Sequence, residues 1–143
     1  MTSICIFESP TAELLYLSEF SALWLTWRKQ ANHQEYRQIL SKVLDYMQER
    51  RVNLFISNMQ KAGVVSIENQ TWFREQAVPQ AVELGLKRVA IVLSEDVFNR
   101  FYLTQAVQKL AQQGLNLEFH YFKSIAPIES WLNQMQGELA AQS

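Results

Sequence analysis

A helical pattern that ends in glycine and runs straight into a short apolar strand occurs twice in this chain. The first instance spans Ala81 to Leu93 and turns at Gly85; the second spans Val107 to Phe122 and turns at Gly114. Glycine just past a helix end takes the left-handed conformation at no steric cost. Repeated helix–glycine–strand units imply crossover connections and a largely parallel sheet. The fold class is therefore readable. No catalytic constellation accompanies it.

The N-terminal part reads differently. Ile4 to Glu8, Glu13 to Ser18 and Ala22 to Arg28 are strand-like, with Leu23, Leu25 and Trp27 alternating against Trp24 and Thr26. Their short connections imply antiparallel pairing. His33 to Arg51 is a helix with Tyr36, Ile39, Leu40, Val43, Leu44 and Met47 on one stripe and Asn32 as its N-cap. Val52 to Asn58 is a short buried strand. Ser66 caps the next helix, in which Pro79 predicts a kink or a break. Lys87 to Leu93 is a strand, Ser94 caps a further helix, and Leu117 to Phe122 is the last strand. Ser124 is the expected cap of the final helix, with Pro127 in its first turn. The expected order is β-β-β-α-β-α-β-α-β-α: one α/β domain over residues 1–137, with a mixed sheet and about four flanking helices. Residues 138–143 are expected to fray.

Composition narrows the function classes. The 143 residues suit one core, and 48% are apolar against 19% charged, so burial can offset chain entropy. A net charge of −1 argues against broad binding to nucleic acid. Arg50-Arg51 and Lys87-Arg88 read as solvated surface. No apolar run approaches the roughly 18–20 residues of a membrane span. No secretory signal is visible, and the expected location is cytoplasmic. The single cysteine, Cys5, excludes an intrachain disulfide. Its place within Ile4-Cys5-Ile6-Phe7 predicts a small buried hydrophobe.

The chemistry-bearing residues are sparse. Four glycines, none in a G-x-G-x-x-G or Walker pattern, argue against a phosphate-cradling loop. His33 and His120 lack ligand spacing, so no metal or other cofactor is expected. No nucleophile elbow is present, and Asn58 stands at the strand end where a phosphoaspartate receiver needs an aspartate. The expectation is a protein that is not an enzyme; a site dispersed along the chain is the least favoured alternative. Seventeen aromatic residues are the remaining signal. Trp24, Trp72, Phe73, Phe98, Phe101, Tyr102 and Trp131 are candidates to line an apolar pocket, to form a contact surface or to fill the core.

Several stretches, in their order, resemble the SpoIIAA-like family of the STAS/Sec14-type fold. They are Trp24-Leu25-Thr26-Trp27, Glu35-Tyr36-Arg37, Leu54 to Asn58, Ile67 to Trp72, Gly85 to Val92, Tyr121-Phe122, and Ala126 with Trp131-Leu132. The chain looks closest to small bacterial members of unassigned function. The resemblance implies antiparallel N-terminal strands and helix–strand units completing a mixed sheet. Members of the family include anti-sigma-factor antagonists switched by phosphorylation of a serine at a helix start, within an Asp-Ser-Ser-Gly-like motif. Ser66 has a similar place, but Val65, Ile67 and Glu68 surround it and the motif is absent. Sec14-like relatives imply instead an apolar, lipid-like ligand between helices and sheet, entering near Asn58 and Ser94.

The leading expectation is a non-catalytic binding or regulatory module that meets a protein partner or a second copy of itself. The alternative is a carrier or sensor of a small apolar ligand. Asn58, Ser66, Trp72, Ser94 and Phe98 form the candidate pocket or switch region. Partner binding predicts an exposed apolar patch above roughly 400 Å². Ligand carriage predicts a cavity of roughly 300–1,000 Å³.

Overall fold

Six strands form one sheet whose spatial order is the order of the chain. The computed structural model describes residues 2–93 and 97–142. Strands β1 (Ile4–Glu8), β2 (Ala12–Leu17) and β3 (Ala22–Trp27) pair antiparallel. Strands β4 (Leu54–Asn58), β5 (Arg88–Val92) and β6 (Glu118–Phe122) continue from β3 in parallel. The mixed sheet expected from the sequence is present. Helix α1 (His33–Glu49) connects β3 to β4, and α4 (Val97–Gln112) connects β5 to β6. Helix α5 (Ile128–Gln142) follows the last strand and runs past residue 137, the domain boundary expected from the sequence.

The β4–β5 crossover holds α2 (Ile67–Trp72), a π turn (Phe73–Ala77) and α3 (Val78–Glu83). Backbone angles stay right-handed helical across both junctions, so the three segments act as one helical unit. Pro79 is the physical reason for the wide turn. A proline inside a regular helix lacks an N–H and crowds the carbonyl four residues back. The Val78 N–H instead bonds the Phe73 carbonyl, five residues back, just before the proline. The expected kink or break is thus a π turn. With this unit counted once, four helical units surround the sheet among the described residues.

The two faces of the sheet are covered unequally. Leu14, Leu23, Leu25, Phe55, Val89 and Ile91 face α1 and the α2–α3 unit, and they meet the α1 stripe from Tyr36 to Met47. Leu54, Ile56, Ala90 and Val92 face α5, which supplies Ile128 and Leu132. Each fully buried aliphatic side chain of this kind contributes about 1.5–3 kcal/mol. Helix ends follow the expected chemistry. Asn32 accepts the Glu35 N–H at 2.8 Å, and Gly85 and Gly114 take φ of 109° and 75°.

Two expectations need correction. Cys5 is exposed. It lies on β1, an edge strand that has no neighbouring strand on one side among the described residues; an apolar run alone does not reveal an edge. The register of β1 also slips between Cys5 and Phe7, a bulge of the kind that interrupts sheet edges. Ser124 does not cap α5. The helix begins at Ile128, and the Trp131 N–H bonds the Pro127 carbonyl, so residues 123–127 form a turn before it. The Ser94 cap lies outside the described residues.

Candidate functional site

β3 and β4 run parallel and end side by side, so the loops after them diverge at one end of the sheet. Open α/β sheets bind ligands at such strand ends. Here α1 and α2 both begin at that end, and a cavity of about 160 Å³ lies between their first turns. Its floor is Trp27, from the end of β3, and Tyr36, from the second turn of α1. The two rings stack with centroids 5.4 Å apart and planes 9° from parallel. The mouth carries Gln30, Asn32 and His33 on one side and Val64 and Ser66 on the other.

Asn69 holds the two helix starts together. It is 2% exposed, and every polar group of its side chain is engaged across the helix pair. Its Nδ2 donates to the His33 carbonyl at 3.1 Å, and its Oδ1 accepts from Arg37 Nε at 2.9 Å. Its backbone N–H donates to Ser66 Oγ at 3.2 Å, which is the α2 cap. Arg37 extends from this bond over the Trp72 ring, 5.4 Å from its centroid, and Trp72 meets Tyr36 edge-on at 6.5 Å. Buried polar groups survive only when paired, and a satisfied network of this kind sets one geometry for the elements it joins.

The loop that closes the cavity depends on Gly63. Its φ is +67°, and a Cβ there would fall 2.6 Å from Gln30 Oε1 and 2.8 Å from Gln30 Cβ. Glycine is required both by conformation and by this close approach. The same Gln30 oxygen accepts the Val64 N–H at 3.4 Å. Val64 and Ile67, on either side of Ser66, are 49% and 65% exposed.

The Tyr36 phenol is neutral at any working pH, because burial holds it well above its ordinary range. Tyr36 is 9% exposed, but its hydroxyl is not a buried orphan: the buried side-chain atoms without a partner among the described residues are Asn53 Oδ1 and His120 Nε2. No acidic side chain is among the residues that line the cavity. Glu35, the residue before Tyr36, is directed to the buried Thr11, whose hydroxyl donates to it at 2.9 Å. No group of three or more His, Cys, Asp or Glu side chains placed to hold a metal occurs among the described residues.

The structure brings together only part of the expected region. Ser66 lies at the mouth, exposed, and acts as the cap of α2. Trp72 is half-buried one layer behind the floor, in contact with Tyr36. Asn58 is buried at the end of β4, where its Oδ1 accepts the Gln60 N–H at 3.2 Å, and it does not line the cavity. Ser94 lies outside the described residues; Phe98 is part of α4, and its side chain is outside them as well. Asn69 and Tyr36 are the residues that sequence reasoning passed over as site residues. No local signal marks Asn69: its place in the first turn after Ser66 gains meaning only once α1 is known to lie beside it.

The cavity is smaller than the size expected of an apolar-ligand carrier. A hollow of about 730 Å³ runs along the outer side of α1, past Arg37, Ser41, Lys42 and Asp45, but it is polar and open. No described helix is long and apolar enough to cross a membrane.

No family model matches this chain, and no curated protein does. A solved structure similar to it is that of an uncharacterised protein of the DUF3478 family from Shewanella loihica PV-4, described as having a SpoIIAA-like fold. The two are 14% identical, the match covers 92% of each chain, and the TM-score is 0.46.

Proposed function

We propose that this protein is a non-catalytic binding or regulatory module whose contact surface is the mouth between α1 and α2. The observation that supports this is the pair Val64 and Ile67. Both are large apolar side chains left in solvent, on either side of the Ser66 cap. Their neighbours are held by the Asn69 network, so the surface is presented on rigid elements. Apolar side chains surrounded by polar groups on a fixed backbone are a usual form of protein contact site. Ser66 in their midst is where an added phosphate would meet both a helix start and the contact surface. A cytoplasmic setting is part of this reading.

The test is photo-crosslinking in cells from a reactive residue placed at position 67, beside native mass spectrometry of the purified protein. The expected result is a discrete crosslinked partner, or a homodimer in the native spectrum. Either is lost in Ile67→Asp with the melting temperature unchanged, because an aspartate in the first turn suits the helix dipole. A monomer with no crosslink from position 67, but crosslinks from another face, would overturn the reading. The carrier alternative stands only for a ligand far smaller than a lipid, since the cavity measures about 160 Å³.

A further inference from the structure

Where β6 meets α5, one buried polar atom is left unused. His120 Nε2 is buried without a hydrogen-bond partner among the described residues. Its ring leans on Trp131 of α5, with centroids 5.0 Å apart, and Trp131 also meets the Phe122 ring edge-on at 5.2 Å. Glu118, His120 and Phe122 share one side of β6 by the two-residue period of a strand. That side belongs to the sheet face on which α5 packs its Ile128 and Leu132. Beside the imidazole, Glu118 Oε2 accepts the Arg88 Nε–H at 2.7 Å, and Arg88 Nη1 reaches Met135 Sδ of α5 at 3.2 Å.

His120 Nε2 stands 3.5 Å from that same Glu118 oxygen. The distance is long for a bond from a neutral ring. A proton on the imidazole changes both of its contacts. Nε2 becomes a charged donor that a shift of about 0.7 Å brings to charge-assisted bonding distance. The ring becomes a cation beside an indole, which attracts cations within about 6 Å. The charged groups at the imidazole are Glu118 of β6 and Arg88 of β5, which is bonded to that carboxylate. Arg88 opposes a second positive charge, and the shared carboxylate offsets it. α5 brings Trp131 and Met135, neither of which titrates, and its Glu129 is exposed.

We propose that His120 is a proton-operated latch for α5: in mild acid the imidazolium binds Glu118 and Trp131 together and tightens the hold of the C-terminal helix on the sheet. Imidazole is the side chain whose ordinary charge change falls between pH 5 and 8. The charged ring is bonded in the fold and only hydrated in the unfolded chain. Its contribution is therefore present below about pH 6.5, the ordinary histidine value, and is lost as pH rises further. Glu118 stays ionised in mild acid, because the hydrogen bond and charge of Arg88 hold its carboxyl below the ordinary range. The latch lies on the other face of the sheet from Trp27 and Tyr36, so it stands apart from the contact surface between α1 and α2.

The test compares the full chain with His120→Gln in urea melts at pH 7.5 and pH 5.5. The two side chains are 37% and 59% exposed, so the effect is modest. On passing to pH 5.5, the wild type should gain about two- to fivefold in folding equilibrium constant relative to His120→Gln. In a Glu118→Gln background the same comparison should show no gain. Fluorine NMR gives a second readout, with 5-fluorotryptophan at the four tryptophans and the Trp131 signal assigned through Trp131→Phe. That signal should move between the two pH values in the wild type and hold still in His120→Gln. An equal stability difference at both pH values, a gain that survives Glu118→Gln, or a Trp131 signal that moves as far in His120→Gln would each overturn the proposal.

Discussion

The Asn69 side chain donates from Nδ2 to the backbone carbonyl of His33 at 3.1 Å, joining the start of one crossover helix to the start of another. Its oxygen is equally committed, to Arg37 Nε at 2.9 Å. Replacement by alanine removes both bonds together, each of them part-buried. We expect Asn69→Ala to cost about 2–4 kcal/mol, the sum of two such groups left unpaired. Asn69→Asp should do little better, because a carboxylate keeps the Arg37 contact but cannot donate to His33. Urea unfolding of both variants checks this; a loss below about 0.5 kcal/mol for alanine would show that water replaces the amide.

The tryptophans near the site differ in burial, and their variants should differ accordingly. Trp27 is 3% exposed and stacked on Tyr36, so Trp27→Ala should cost about 3–5 kcal/mol. Trp72 is half-buried, with Arg37 over one face. Trp72→Ala should cost about half as much, 1.5–2.5 kcal/mol on the same scale. Equal losses in denaturant melts would place Trp72 fully in the core, the role that its apolar neighbours alone suggest.

How far these relations were visible beforehand depends on whether the signal is local. Asn32, Ser66, Gly85 and Gly114 act on their own helix ends, and each is readable from spacing alone. The antiparallel start and parallel finish of the sheet follow from connection lengths, which are also local. Asn69 was not readable as a site residue. An asparagine in a first helical turn looks like solvated surface unless the neighbouring helix is known. Cys5 failed for a related reason: strand pattern predicts a strand, but only the sheet order shows that β1 is an edge. The α5 start moved because Ser124 precedes a turn that Pro127 closes, and both serine and proline are compatible with either arrangement. Tyr36 is readable as part of the buried stripe of α1, but its stacking on Trp27 depends on where β3 ends.

Gly63 separates two causes of strain. Gly63→Ala meets both a left-handed backbone angle and the Gln30 side chain. Gly85→Ala meets only the angle, since nothing lies within 4 Å of its added Cβ. Both should lose about 1–2 kcal/mol to the backbone, and Gly63→Ala should lose more. Shortening the neighbour, as Gln30→Gly in the Gly63→Ala background, should recover the excess and leave the two glycine sites equal. If the double variant melts no higher than Gly63→Ala, the loop has moved away from Gln30 rather than pressing on it.

Stability should also respond to acid through an ion pair at the far edge of the sheet. Arg88 Nε lies 2.7 Å from Glu118 Oε2, across the paired strands β5 and β6. The hydrogen bond and charge of Arg88 hold the Glu118 carboxyl below its ordinary range. His120 Nε2 stands 3.5 Å from the same oxygen, too far for a strong hydrogen bond. A carboxyl with a lowered folded-state pKa stabilises the fold above its unfolded-state value, about pH 4.3. That contribution is lost as pH falls further, through the folded-state value. Glu118 is largely exposed, so solvent screening limits the contribution to about 0.2–1 kcal/mol. Glu118→Gln should therefore lower stability slightly at pH 7 and by less at pH 2, because acid protonates the wild-type carboxyl and removes the difference. Urea melts of both proteins at the two pH values test the sign. Convergence at low pH supports the Arg88 pairing, and a constant offset at both would assign the difference to packing instead.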